Sequence, residues 1–99
     1  MVKHFDDENE VLKYIQANTC ILDFYADWCG PCKMLLPVLD EIDFTDIIKI
    51  NVDEQPDLAK KFGIMSIPTL IFFKDGLEQE REIGYRGLDE IKKTFDSIM

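Results

Sequence analysis

The sequence predicts an α/β fold: a single domain over residues 1–99 with a central mixed five-stranded sheet flanked by four helices. Three observations lead there. Apolar positions switch between strand-like runs and helical three-to-four-residue spacing in the order β-α-β-α-β-α-β-β-α. Alternation up to the third strand calls for parallel pairing through crossovers, whereas Asp75-Gly76 between the last two strands suits a two-residue hairpin and makes that pair antiparallel. A composition of 46% hydrophobic and 11% aromatic residues over 99 positions is enough for one core without metal or disulfide staples.

The elements follow in order. Val2 to Phe5 can form a short strand, and Asp7 with Glu10 has the spacing of a capping box for a helix over about 8–17, with Val11, Leu12 and Ile15 as its apolar stripe. Cys20 to Ala26 is almost continuously apolar and rich in β-formers, as a strand covered on both faces should be, with Asp23 the anomaly inside it. Met34, Leu35, Val38, Leu39 and Ile42 then mark a helix to about Asp43, in which Pro37 should produce a kink. Ile47 to Val52 reads as another central strand carrying one charge, Lys49. Pro56 suits the first turn of a short helix through Phe62, and Gly63 suits its C-terminal cap. Thr69–Lys74 and Leu77–Ile83 are the hairpin strands, and Leu88, Ile91, Phe95 and Ile98 space the last amphipathic helix.

Charge and cysteine content exclude several function classes. There are 11 Lys and Arg against 20 Asp and Glu, a net charge of -9, whereas a nucleic-acid binder needs a basic footprint. The uncharged stretch Ile64–Phe73 contains Ser66, Pro68 and Thr69 and falls well short of the roughly 20 apolar residues that span a bilayer. The acidic start MVKHFDDENE lacks the basic patch and apolar run of a secretory signal, so the expected location is the cytoplasm. Three cysteines are too few and odd in number for a disulfide scaffold, which leaves chemistry or packing as their use.

Cys29-Gly30-Pro31-Cys32 lies where a buried strand ends and a helix begins. The unpaired N–H groups and positive dipole of the first helical turn stabilise a thiolate at Cys29. Cys32, one turn on, is close enough to resolve a mixed disulfide formed on Cys29. The competing reading is half of a zinc site, which needs two more ligands, and only Cys20 and His4 remain to supply them. Without a partner at motif spacing, Cys20 reads as a small buried hydrophobe. On residues alone, Asp23 is either a solvent-facing residue at a strand end or a desolvated functional carboxyl. Lys49 is open in the same way between a surface and a functional role, and Trp28 between core filler and exposed surface.

At this point the chain resembles the thioredoxin family. Trp28-Cys29-Gly30-Pro31-Cys32-Lys33 is similar to that family's active-site signature, and Asp23-Phe24-Tyr25-Ala26-Asp27 to its aspartate-bearing strand. Lys49, Ile67-Pro68-Thr69 and Gly84 fall where the family keeps a lysine, a cis-proline loop and a glycine beside the active site. The resemblance covers essentially the whole chain. It implies the thioredoxin fold and a monomeric protein-disulfide reductase with no bound cofactor, cycling between the Cys29/Cys32 dithiol and its disulfide. Cys29 is then the nucleophile, Cys32 the resolving thiol, Asp23 the proton acceptor and donor, and Lys49 a residue that tunes Asp23. Trp28, Gly30, Pro31, Ile67, Pro68 and Gly84 would form the docking surface, with Ile67-Pro68 cis and the Ile67 backbone free to pair with an extended substrate.

The implied partners are a flavin- and NADPH-dependent thioredoxin reductase and disulfide-containing clients. Gly-Pro between the cysteines resembles reducing members, whereas isomerases and oxidants of this fold usually carry His at the second position. The chain departs from the family at Tyr25, which stands where Trp is most frequent, and at Met65-Ser66, where members differ. It also has only 11 residues between Pro37 and Lys49, so the second helix or its following loop should be trimmed. A reading from another class is a redox-inert binding module or scaffold subunit using the same surface.

Overall fold

In the computed structural model, which describes residues 1–99, the nine elements come in the expected order: β1 (Val2–His4), α1 (Glu8–Ala17), β2 (Cys20–Tyr25), α2 (Gly30–Asp40), β3 (Asp46–Asn51), α3 (Pro56–Lys61), β4 (Thr69–Lys74), β5 (Leu77–Ile83) and α4 (Leu88–Ile98). β4 and β5 have the expected limits, and the turn between them fixes the end of one and the start of the other. Asp75 and Gly76 hold φ of 56° and 78°, the pair of positive values a tight hairpin of this twist requires.

Other ends differ for local reasons. β1 stops at His4 because Phe5 turns inward against Tyr14, their ring centroids 5.4 Å apart. At the start of α1 the Asp7 carboxylate accepts from Asn9 N–H at 3.0 Å, while Glu10 N–H bonds the backbone carbonyl of Asp7 at 3.1 Å. The cap is therefore Asp7 alone and not the reciprocal box. α2 continues across Pro37 and ends at Asp40, short of Asp43. There the ladder tightens: Glu41 N–H bonds Val38 C=O and Ile42 N–H bonds Leu39 C=O, both at 3.1 Å. That i to i−3 turn swings Ile42 into the core.

The sheet order is β1-β3-β2-β4-β5. β3 pairs parallel with both β1 and β2, and β4 pairs antiparallel with β2 and β5. The two-residue period of β2 then sorts its side chains onto two faces. Cys20, Leu22 and Phe24 pack with Ile48, Ile50, Ile71 and Phe73 beneath Val11 and Ile15 of α1 and Leu58 of α3. Ile21 packs with Ile47, Leu70 and Phe72 beneath Leu35 and Leu39 of α2 and Ile91 and Phe95 of α4. Asp23, next but one from Ile21, falls on the α2 side. Ala26, Cys29 and Cys32 form a third, separate small cluster at the carboxyl end of β2. No helix is long and apolar enough to cross a membrane.

Candidate active site

The strand-to-helix junction after β2 creates the site. Cys29 is the N-cap of α2, and its sulfur accepts the backbone N–H of Cys32 at 3.2 Å. A cap side chain normally supplies oxygen to these orphan donors, and here a thiolate-forming group takes that place. Cys29 and Cys32 are joined as a disulfide, with Cα atoms 5.2 Å apart. Gly30 and Pro31 between them are exposed, and Pro31 in the first turn costs no hydrogen bond because its N–H would have no helical partner.

Opposite the junction, the Ile67-Pro68 peptide bond is cis, and the Ile67 carbonyl lies 3.8 Å from Cys29 Sγ. Gly84, at φ 92°, donates its N–H to the Pro68 carbonyl at 2.8 Å, which fastens the end of β5 to this loop. Pro68 itself is buried and Ile67 half-buried, so Ile67 contributes side-chain surface here and Pro68 contributes shape.

Trp28 is a surface residue, 69% exposed. Its orientation is set by a chain of contacts that begins at the end of β3. Asn51 Oδ1 accepts the N–H groups of Asp53 at 2.9 Å and Glu54 at 3.3 Å, forming a local turn. The Asp53 carboxylate so placed accepts Trp28 Nε1–H at 2.8 Å. The indole then borders an apolar groove of about 350 Å³ with Val52, Ile64, Met65 and Ile67, and Met65 is 97% exposed. Asp53 does not stand out in the sequence. Asp53 is 25 positions from Trp28, so only tertiary structure joins them.

Within the sheet, Asp23 and Lys49 are paired in register on β2 and β3. Lys49 Nζ lies 2.9 Å from Asp23 Oδ2, and the two residues are 7% and 1% exposed. Both are interior residues, set on the face that α2 covers. Asp23 Oδ1 is buried with no hydrogen-bond partner. Burial raises the Asp23 pKa, and the Lys49 charge and hydrogen bond offset part of that rise. Such a pair is weak evidence of stability, because removing both charges from water costs about as much as their attraction returns. A carboxyl kept partly desolvated with one free oxygen is instead suited to moving a proton.

Cys20 is buried on the opposite face of β2, and burial with the nearby Asp46 charge pushes its thiol up to about 12. It is unlinked and packs in the core beneath α1. His4 and Cys20 do not gather with the motif cysteines, and no cluster of three His, Cys, Asp or Glu side chains has metal-binding geometry.

Comparison with known proteins agrees with this geometry. The thioredoxin family model matches residues 2–97. A thioredoxin of Chlamydia caviae is 44% identical over 100 residues, covering 97% of each chain. One from Chlamydia muridarum is 47% identical over 85 residues, covering 82% of this chain and 83% of that protein. Among solved structures, a mutant thioredoxin from Halobacterium salinarum superposes with a TM-score of 0.88 at 36% identity, covering 97% of this chain and 88% of that one. The oxidised thioredoxin of Plasmodium falciparum gives 0.87 at 30% identity, covering 99% and 98%. With a redox-active disulfide capping α2 on this sheet, the chain belongs to the thioredoxin family of dithiol–disulfide oxidoreductases.

Proposed function

We propose that this single domain works as a cytoplasmic protein-disulfide reductase, with Cys29 as nucleophile and Cys32 as resolving thiol. The observation that carries this reading is the Cys32 N–H directed at Cys29 Sγ at the positive end of α2. That end favours negative charge on the first sulfur. The Cys29 thiolate attacks a client disulfide, forms the Cys29–client bond and releases one client thiolate. Cys32 then loses its proton and attacks Cys29 Sγ, and the second client thiolate leaves. Two electrons pass to the client, and the Cys29–Cys32 bond stores the oxidised state. Asp23 accepts the Cys32 proton, an assignment supported by its burial on the face under α2 and its unpartnered Oδ1. Lys49 tunes Asp23 through the 2.9 Å contact.

Clients dock on Trp28, Gly30, Pro31, Ile67, Pro68 and Gly84, and the groove beside Trp28 supports this placement. A flavin- and NADPH-dependent thioredoxin reductase returns the electrons to the monomeric protein. The test is reduction of insulin disulfides by dithiothreitol. Wild type accelerates it, and a Cys29→Ser, Cys32→Ser double variant does not; equal rates would leave only a redox-inert binding module. Cys32→Ser should trap clients covalently on Cys29, and trapping by Cys29→Ser instead would reverse the two roles.

A further inference from the structure

Tyr25 occupies a position that the thiol chemistry leaves unused. It ends β2 on the face that carries Asp23, and its ring centroid lies 4.1 Å from Lys49 Nζ. Lys49 Nζ otherwise bonds Asp23 Oδ2 alone. The ammonium is thus held between a carboxylate and an aromatic face, and ring attraction for a cation strengthens when both are desolvated. The same ring borders two clefts. One is polar, of about 300 Å³, and is shared by Lys49, His4, Asp6, Asn51 and Glu54. The other is lined by Ala26, Asp27, Cys32, Lys33 and Leu36. Tyr25 is the residue common to the Lys49 side and the Cys32 side.

We propose that Tyr25 is a positioning residue: its ring pins the Lys49 ammonium against Asp23 Oδ2 at the wall of the acidic cleft, leaving Oδ1 to take up and release the proton. The proposal rests on Asp23 being the proton acceptor and donor. The charges facing the pair make the pin necessary. His4 from β1, Asp6 from the loop after β1 and Glu54 from the loop after β3 face Lys49 across the polar cleft. Asp27 from the loop after β2 and Lys33 from α2 line the second cleft with Tyr25. Without the ring, Asp6 and Glu54 draw the ammonium away, and Asp23 loses part of its counter-charge and keeps its proton to higher pH. The attraction resides in the ring and not in the hydroxyl, so Phe serves as well as Tyr.

The experiment follows the Asp23 carboxyl carbon by 13C NMR across pH in the oxidised protein. Tyr25→Phe should titrate within about 0.2 pH unit of wild type, and Tyr25→Leu should move the midpoint up by about 0.5 to 1 unit. Tyr25→Met, which also lacks a ring, must move it in the same direction. Adding Tyr25→Leu to Lys49→Met should shift nothing further. An unmoved midpoint in the ringless variants would overturn the proposal. So would an equal shift in Tyr25→Phe, or a shift that survives without Lys49. The titration reads Asp23 whether or not it serves the thiols. Single-turnover rates of Asp23→Asn that equal wild type would remove Asp23 from the mechanism while leaving the Tyr25 contact measured independently.

Discussion

Replacing Asp23 by Asn removes one titrating proton from the interior while keeping side-chain shape and an acceptor oxygen near Lys49. In the wild type, burial raises the carboxyl pKa and Lys49 only partly offsets it. Between the unfolded value of about 3.9 and the raised folded value, the native state binds more protons than the unfolded chain. Stability from this group is therefore complete below that window and declines as pH rises through it, with a limiting slope of about 1.4 kcal/mol per pH unit for one proton. Above the folded value the loss is constant. Asp23→Asn has no such proton, so its unfolding free energy minus that of wild type climbs with pH and then levels off. Any packing difference between Asn and protonated Asp displaces the curve and leaves its slope alone. Urea unfolding of both oxidised proteins, followed by circular dichroism between about pH 4 and pH 9, measures the difference, and every shared carboxylate cancels. A flat difference would show that Lys49 fully offsets burial, and one that falls with pH that it outweighs burial; either would show that the carboxyl is not raised.

Three further outcomes test other parts of the structure. In the reduced protein at about pH 8, iodoacetamide should modify Cys29 first and Cys20 only after denaturation, since the Cys20 thiol is pushed up to about 12; fast labelling of Cys20 in the folded protein would contradict its burial. Gly84→Ala should lower stability by about 1–2 kcal/mol, because φ of 92° is unfavourable for a side chain, and should slow insulin reduction by disturbing the bond to Pro68. Phe72→Ala should cost about 3–5 kcal/mol in urea unfolding, since Phe72 is fully buried between the sheet and the α2/α4 layer; a loss below about 1 kcal/mol would contradict that packing.

The sequence carried the element order because periodicity and punctuation are local. Asp75-Gly76 delimited β4 and β5, and the Cys29-Pro31 junction located the start of α2. Ends set by tertiary packing were less legible. α2 closes early because Ile42 is drawn into the core, and β1 ends where Phe5 finds Tyr14. The same division holds in the site. The dithiol is contiguous and easily found, and Asp23 is conspicuous as a charge in an apolar strand. That Asp23 is buried opposite Lys49 follows from the register of β2 on β3, which no local pattern specifies. The Asp53 bond that orients Trp28 and the Tyr25 ring over Lys49 are likewise products of register and loop geometry.

The separateness of the small cluster of Ala26, Cys29 and Cys32 has a mechanical consequence. Opening the disulfide requires its sulfurs to move apart, and that displacement falls on a cap and a single helical turn. The large clusters on either side of the sheet contain neither sulfur. Each turnover therefore moves atoms at the rim, outside the two main layers. The moving part and its foundation meet through Val52 and Ile67, the two side chains packed against both the small cluster and the α1/α3 layer.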